Sequence, residues 1–117
     1  MGAEYTIYHN PRCRKSREAV QLMQSEGVDF EIVKYLDNLL TRNDLKRLLA
    51  KLNLDVQRII RKEEKLYKEK YKNMNFTDEE WLIILEENPK LIQRPIVVKG
   101  NKAVIGRPIE NVINLLK

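Results

Sequence analysis

Cys13 is the only cysteine among 117 residues, and it sits in the stretch Tyr8-His9-Asn10-Pro11-Arg12-Cys13-Arg14-Lys15-Ser16-Arg17. A short aromatic and β-branched run ends just before it, and a helical pattern starts just after it. The thiol is therefore expected at the first turn of a helix. Helix N-termini and nearby cations both favour a thiolate over a thiol. Arg12, Arg14, Lys15, Arg17 and His9 all lie within four residues of Cys13. A lone cysteine is more often a small buried hydrophobe, but these polar neighbours argue for a reactive group. With one cysteine, neither an internal disulfide nor a cysteine-rich zinc set can form. Any two-electron reduction run through Cys13 must draw its second thiol from another molecule.

The elements that must hold this thiol can be read from periodicity. Tyr5-Thr6-Ile7-Tyr8 reads as a strand, broken by His9-Asn10-Pro11. From about Arg14 to Glu26, Ala19, Val20, Leu22 and Met23 share one helical face, and Gly27 is a stop signal. Phe30 to Tyr35 alternates as a second strand, giving a βαβ unit with parallel strands. The middle of the chain reads as helical. Thr41 and Asp44 suggest a capping box ahead of Leu45, Leu48, Leu49 and Leu52, and Val56, Ile59 and Ile60 a short helical turn. Lys62 to Lys72 is charged and weakly patterned. Thr77 and Glu80 form a better box ahead of Trp81, Leu82, Ile84 and Leu85, and Asn88-Pro89 ends that helix. Pro95 to Lys99 and Lys102 to Ile105 flank the hairpin signal Gly100-Asn101. Gly106-Arg107-Pro108 then opens a final helix, with proline in its first turn and Ile109, Val112, Ile113 and Leu116 on its inner face.

The order is β-α-β, a helical block over about residues 41–89, then β-β-α. This predicts one α/β domain over residues 1–117, a thioredoxin-like fold with a mixed four-stranded sheet and a helical insertion. That fold places a cis-proline at the start of its third strand, the position of Pro95. An ordinary trans edge-strand proline is the alternative, and sequence does not fix the isomer.

Composition sets outer limits. No apolar run approaches the roughly 20 residues of a membrane span, and no secretory signal pattern is visible. The cytoplasm is the expected compartment. Lys plus Arg number 22 against 17 acidic residues, for a formal charge of +5. The aromatics are scattered, with no alternating aromatic–basic strand to stack bases, so the charge reads as solvated helix surface and not as a nucleic-acid face.

Taken together, His9-Asn10-Pro11-Arg12-Cys13 with Ser16-Arg17, then Arg61, Arg94-Pro95-Ile96-Val97-Val98 and Gly106-Arg107-Pro108, resemble the glutaredoxin-coupled arsenate reductases. The resemblance runs from about Tyr5 to Leu116. It implies that Cys13 is the nucleophile, that His9 and Ser16 support the thiolate, and that Arg61, Arg94 and Arg107 bind the substrate oxyanion. It further implies that Pro95 is the cis-proline beside the cysteine, that glutathione is the co-substrate, and that glutaredoxin reduces the resulting mixed disulfide. The protein is expected to be a monomer without metal or bound cofactor. Arginine suits the substrate, because its permanently charged planar fork matches a tetrahedral oxyanion. Arg94 and Arg107 each precede a proline at a fold junction. Arg61, between Arg58 and Lys62, reads as surface on local grounds alone.

Rival chemistries fit less well. A phosphatase-like loop needs an arginine six residues after the cysteine, where this chain has Ala19, and a dithiol oxidoreductase needs a second cysteine where it has Ser16. Spx-like redox regulators that bind RNA polymerase share the fold but usually carry Cys-x-x-Cys. A glutathione-dependent monothiol reductase with a non-arsenic substrate, and a simple anion-binding protein, remain open.

Overall fold

The computed structural model describes residues 3–37 and 40–117. The chain forms two compact units, Met1–Asn38 with Arg94–Lys117, and Leu39–Gln93.

The first unit is built on a four-stranded sheet in the order β2-β1-β3-β4. Strand β1 (Tyr5–Tyr8) leads through helix α1 (Arg14–Ser25) to β2 (Phe30–Val33), which pairs with β1 in parallel. Strands β3 (Ile96–Lys99) and β4 (Lys102–Ile105) form a hairpin, and β3 lies antiparallel to β1. The sheet is thus mixed and the unit thioredoxin-like, as the element order predicts. Gly27 and Gly100 adopt φ of 68° and 59° at the end of α1 and in the hairpin turn, a region that L side chains avoid.

Tyr5 and Ile7 of β1, Val97 of β3, Ala19 and Met23 of α1 and Val112 of the final helix make one buried cluster. Both helices therefore cover the same face of the sheet. Each fully buried aliphatic side chain there contributes about 1.5–3 kcal/mol.

Two boundaries differ from the sequence reading. Strand β2 ends at Val33, and Tyr35 is buried in the turn that follows. As an edge strand, β2 leaves Ile32 43% exposed, so alternation along it is a weak guide to burial. The last helix of the chain runs Glu110–Leu116 and not from Pro108. The Arg107–Pro108 bond is cis, and Pro108 belongs to the preceding turn, where its carbonyl accepts the Asn111 N–H at 3.0 Å.

The second unit contains α2 (Arg42–Leu52) and α3 (Asp78–Glu87); the final helix, Glu110–Leu116, is α4. Both α2 and α3 start with a reciprocal capping box, Thr41 with Asp44 and Thr77 with Glu80. These boxes satisfy N–H groups that a helix start leaves unpaired. Between the helices lie a 3₁₀ turn (Val56–Ile59) and a π-helical turn (Tyr67–Tyr71) over the weakly patterned charged stretch. Four of the eight aromatics that look scattered in sequence are gathered here: Trp81 lies 5.1–6.3 Å, ring centre to ring centre, from Phe76, Tyr71 and Tyr67. No described helix is long and apolar enough to cross a membrane.

Candidate active site

Sheet register brings three chain segments to one end of the first unit. Tyr8 at the end of β1 pairs with Ile96, and Ile96 pairs with Ile105 at the end of β4. The loop after β1, the Arg94-Pro95 entrance to β3 and the Gly106-Arg107 exit from β4 therefore meet at that end.

The loop that carries Cys13 is fixed by backbone bonds. Asn10 accepts the Cys13 N–H on its carbonyl at 3.0 Å, closing a turn with Pro11 at its second position. The Asn10 side chain, itself buried, accepts the Arg12 N–H at 3.0 Å. The Arg17 guanidinium donates to the Pro11 carbonyl at 2.9 Å. Cys13 then occupies the N-cap of α1 in extended conformation, and its carbonyl accepts the Arg17 N–H at 3.0 Å.

Arg107 is the group in contact with the thiol. Its Nη2 donates to Cys13 Sγ at 3.1 Å, while its Nε donates to the Arg94 carbonyl at 2.8 Å. One guanidinium thus ties the Cys13 sulfur to the peptide before Pro95. The Arg94–Pro95 bond is cis, and Arg94 is buried.

Partial burial of Cys13 by itself pushes its thiol pKa up. The N–H of Ser16, the hydrogen bond and charge of Arg107, and the N–H of Lys15 outweigh that, and the thiol lies below its ordinary value. The neighbouring basic side chains are not the source. Arg12, Arg14, Lys15 and Arg17 are exposed, where water screens them. The sequence correctly marks Cys13 as acidified, but the cation responsible lies 94 positions away in sequence.

His9 and Ser16 are buried together, with Nδ1 of His9 2.6 Å from Ser16 Oγ. Ser16 Oγ also accepts the Asn10 N–H at 3.0 Å. The His9 pKa is lowered by burial, then by the charges of Lys34 and Arg17, so the ring is neutral near pH 7. The direction of the His9–Ser16 bond follows the tautomer of the neutral ring, because a hydroxyl that accepts from the Asn10 N–H can still donate or accept once more. This pair braces the turn to the first turn of α1; a neutral His9 supplies no cation to the thiolate.

Arg61 belongs to the second unit. Its N–H donates to the Leu91 carbonyl beside the Ile60–Ile92 bridge. Its side chain is largely buried and pairs with Glu63 at 3.2 Å and Glu64 at 3.8 Å. The structure therefore gathers Cys13, His9, Ser16, Arg94, Pro95 and Arg107 within one unit, while Arg61 is described within the other.

Asn10, Arg17 and Gly106 stand in the motifs read from sequence, but the bracing contacts they make are not legible there. Asn-Pro is itself a turn signal, and Gly106 stands directly before Arg107. The Gly106 N–H donates to the Pro95 carbonyl at 2.8 Å. A Cβ on Gly106 would meet Pro95 Cγ at 2.6 Å and Val112 Cγ2 at 3.2 Å. Neither a proline ring nor a β-branched valine can swing aside. Gly106→Ala is expected to cost about 1–3 kcal/mol by overpacking, read as a lowered urea midpoint.

A cleft of about 870 Å³ lies at the opposite end of the sheet from Cys13, around the Gly100-Asn101 turn and Asn114.

Comparison with known proteins identifies the family. A profile of the ArsC family matches residues 8–115. An arsenate reductase of Neisseria meningitidis serogroup A is 41% identical over 111 residues, covering 93% of this chain and 95% of that protein. The Escherichia coli K12 protein YfgD is 41% identical over 118 residues, covering 99% of each. A solved arsenate reductase from Vibrio cholerae superposes with a TM-score of 0.89 at 39% identity, covering 97% of this chain and 98% of that one. With a family match over nearly its whole length and relatives of this similarity and coverage, the chain belongs to the ArsC family.

Proposed function

We propose that this protein is an arsenate reductase that works through a single cysteine and an external thiol. The observation that carries the proposal is the 3.1 Å hydrogen bond from Arg107 to a thiol that is the only one in the chain. Cys13 attacks arsenic as a thiolate, and an oxygen of arsenate departs as water. Arg107 and Arg94 hold the oxyanion, so that negative charge developing on the adduct meets fixed donors. Arg61 enters on family resemblance and not on geometry. A second thiol, glutathione, then supplies the remaining electrons. Arsenic falls from the +5 to the +3 state, and the two thiols become one disulfide. Arsenate plus two thiols thus gives arsenite, a disulfide and water. Glutaredoxin reduces the Cys13–glutathione disulfide and returns the thiol.

Within this scheme His9 and Ser16 are positioning residues. They hold the turn so that the Ser16 N–H points at Cys13. The Leu39–Gln93 unit is the helical insertion into a thioredoxin-like domain, and the protein acts as a monomer in the reducing cytoplasm, without bound metal or cofactor. The test is NADPH oxidation coupled through glutathione reductase, with glutathione and glutaredoxin present and arsenate varied. Arsenate-dependent oxidation is expected. A rate independent of arsenate, from protein whose Cys13 still alkylates rapidly at neutral pH, would overturn the assignment.

A further inference from the structure

The cleft of about 870 Å³ at the end of the sheet away from Cys13 lies between the β3–β4 hairpin and α4. Its floor is Val104 of β4 and Leu115 of α4, which pack against the buried cluster and leave part of their surface to the cleft. Lys99, Lys102 and Lys117 line it, with one carboxylate, Glu4. We propose that this cleft binds a small organic anion: a carboxylate, sulfonate or phosphate carried on an apolar body. No step at Cys13 enters the binding, which stands apart from the arsenate chemistry above.

The hairpin register points to the charge. Lys99 and Lys102 are cross-strand partners, and like charges directly opposite each other destabilise a hairpin. Side chains two apart share a sheet face, so both lysines stand on the face of Val97 and Val104, the one that α4 covers. Lysine commonly guards the open edge of a sheet. That accounts for Lys102 on β4 but not for Lys99, because β3 is an interior strand. Lys99 is held over the same face, its Nζ 5.4 Å from the centre of the Tyr5 ring and 4.0 Å from Glu4 Oε1. The Glu4 side chain is 61% exposed, so at that distance it offsets little of the repulsion. An anion placed against the two lysines relieves it. The volume is that of a small-molecule site, and the aliphatic floor suits an apolar body. A bare inorganic ion would leave the floor uncovered, and a neutral molecule would leave the lysines opposed.

The probe is 8-anilinonaphthalene-1-sulfonate, titrated into the full chain and followed by amide NMR shifts. The Gly100, Asn101 and Leu115 amides are expected to move with the titration. Lys102→Glu is expected to weaken binding by roughly fivefold, the scale of an exposed charge contact. The same change should raise the urea midpoint, because a carboxylate there faces Lys99. Affinity lost from a more stable protein cannot be blamed on unfolding. Lys68→Glu makes the same change of charge at an exposed position of the other unit and should leave affinity as it was. N-phenyl-1-naphthylamine has the rings without the charge, and inorganic phosphate has the charge without the rings. Each should bind more weakly than the probe. The proposal is overturned by shifts confined to other residues, by undiminished affinity or a lowered urea midpoint in Lys102→Glu, by an equal loss of affinity in Lys68→Glu, or by either comparison compound binding as tightly as the probe.

Discussion

Replacing Cys13 with serine is expected to lower arsenate-dependent turnover by roughly 10⁴-fold or more, the scale seen when a covalent nucleophile is removed. A hydroxyl at the same N-cap would stay protonated, because even the donors that acidify the thiol cannot bring an alcohol near neutral pH. The fold should survive, since the side chain is only partly buried and the exchange changes one atom. Arsenate protection against proteolysis should therefore persist in Cys13→Ser while NADPH oxidation in the coupled assay disappears. Residual turnover near the native rate would show that another group carries the chemistry.

The second large effect concerns Arg107. Arg107→Ala removes both the hydrogen bond and the charge that help hold the Cys13 thiol below its ordinary pKa, and it removes a fixed donor to the adduct. Turnover should fall by about 10²–10³-fold, and the pH midpoint of iodoacetamide alkylation should move up. Arg107→Lys should recover part of the midpoint shift and little of the turnover. Lysine keeps the charge but has one nitrogen, whereas Arg107 reaches the Arg94 carbonyl and the Cys13 sulfur from two. The shift also has a sign for stability. A thiol acidified on folding contributes stability above the unfolded thiol's pKa, and that contribution is lost as pH falls through the lower folded value. The native protein should thus gain in urea midpoint across that interval, and Arg107→Ala should gain less. An alkylation midpoint unmoved in Arg107→Ala would sever Arg107 from the thiolate.

Much of this was legible from residues alone, for identifiable reasons. Strands β1, β3 and β4 are short apolar runs bounded by turn chemistry. The capping boxes at Thr41 and Thr77 mark the starts of α2 and α3 in four residues each. These signals are local, so sequence carries them. The acidified thiol was also legible, since the helix start at Cys13 is a local feature. What could not be read locally was which cation acts. The four nearest basic residues are exposed, and the effective one arrives from the end of β4 through sheet register. The part Gly106 plays was hidden for the same reason: its lack of a Cβ matters only once Pro95 and Val112 are packed against it. The start of α4 was misplaced because proline statistics favour a helical first turn, whereas the turn that presents Arg107 includes Pro108.

In the proposed cycle one cysteine and one external thiol together supply the two electrons arsenate accepts. A single-turnover experiment tests it most directly. Reduced protein is mixed with arsenate and glutathione, without glutaredoxin, and both arsenite and the Cys13–glutathione disulfide are quantified by mass spectrometry. Equal amounts of the two products, formed together and only when arsenate is present, are predicted. Mixed disulfide that forms equally fast without arsenate, or arsenite that appears while Cys13 stays a free thiol, would contradict it.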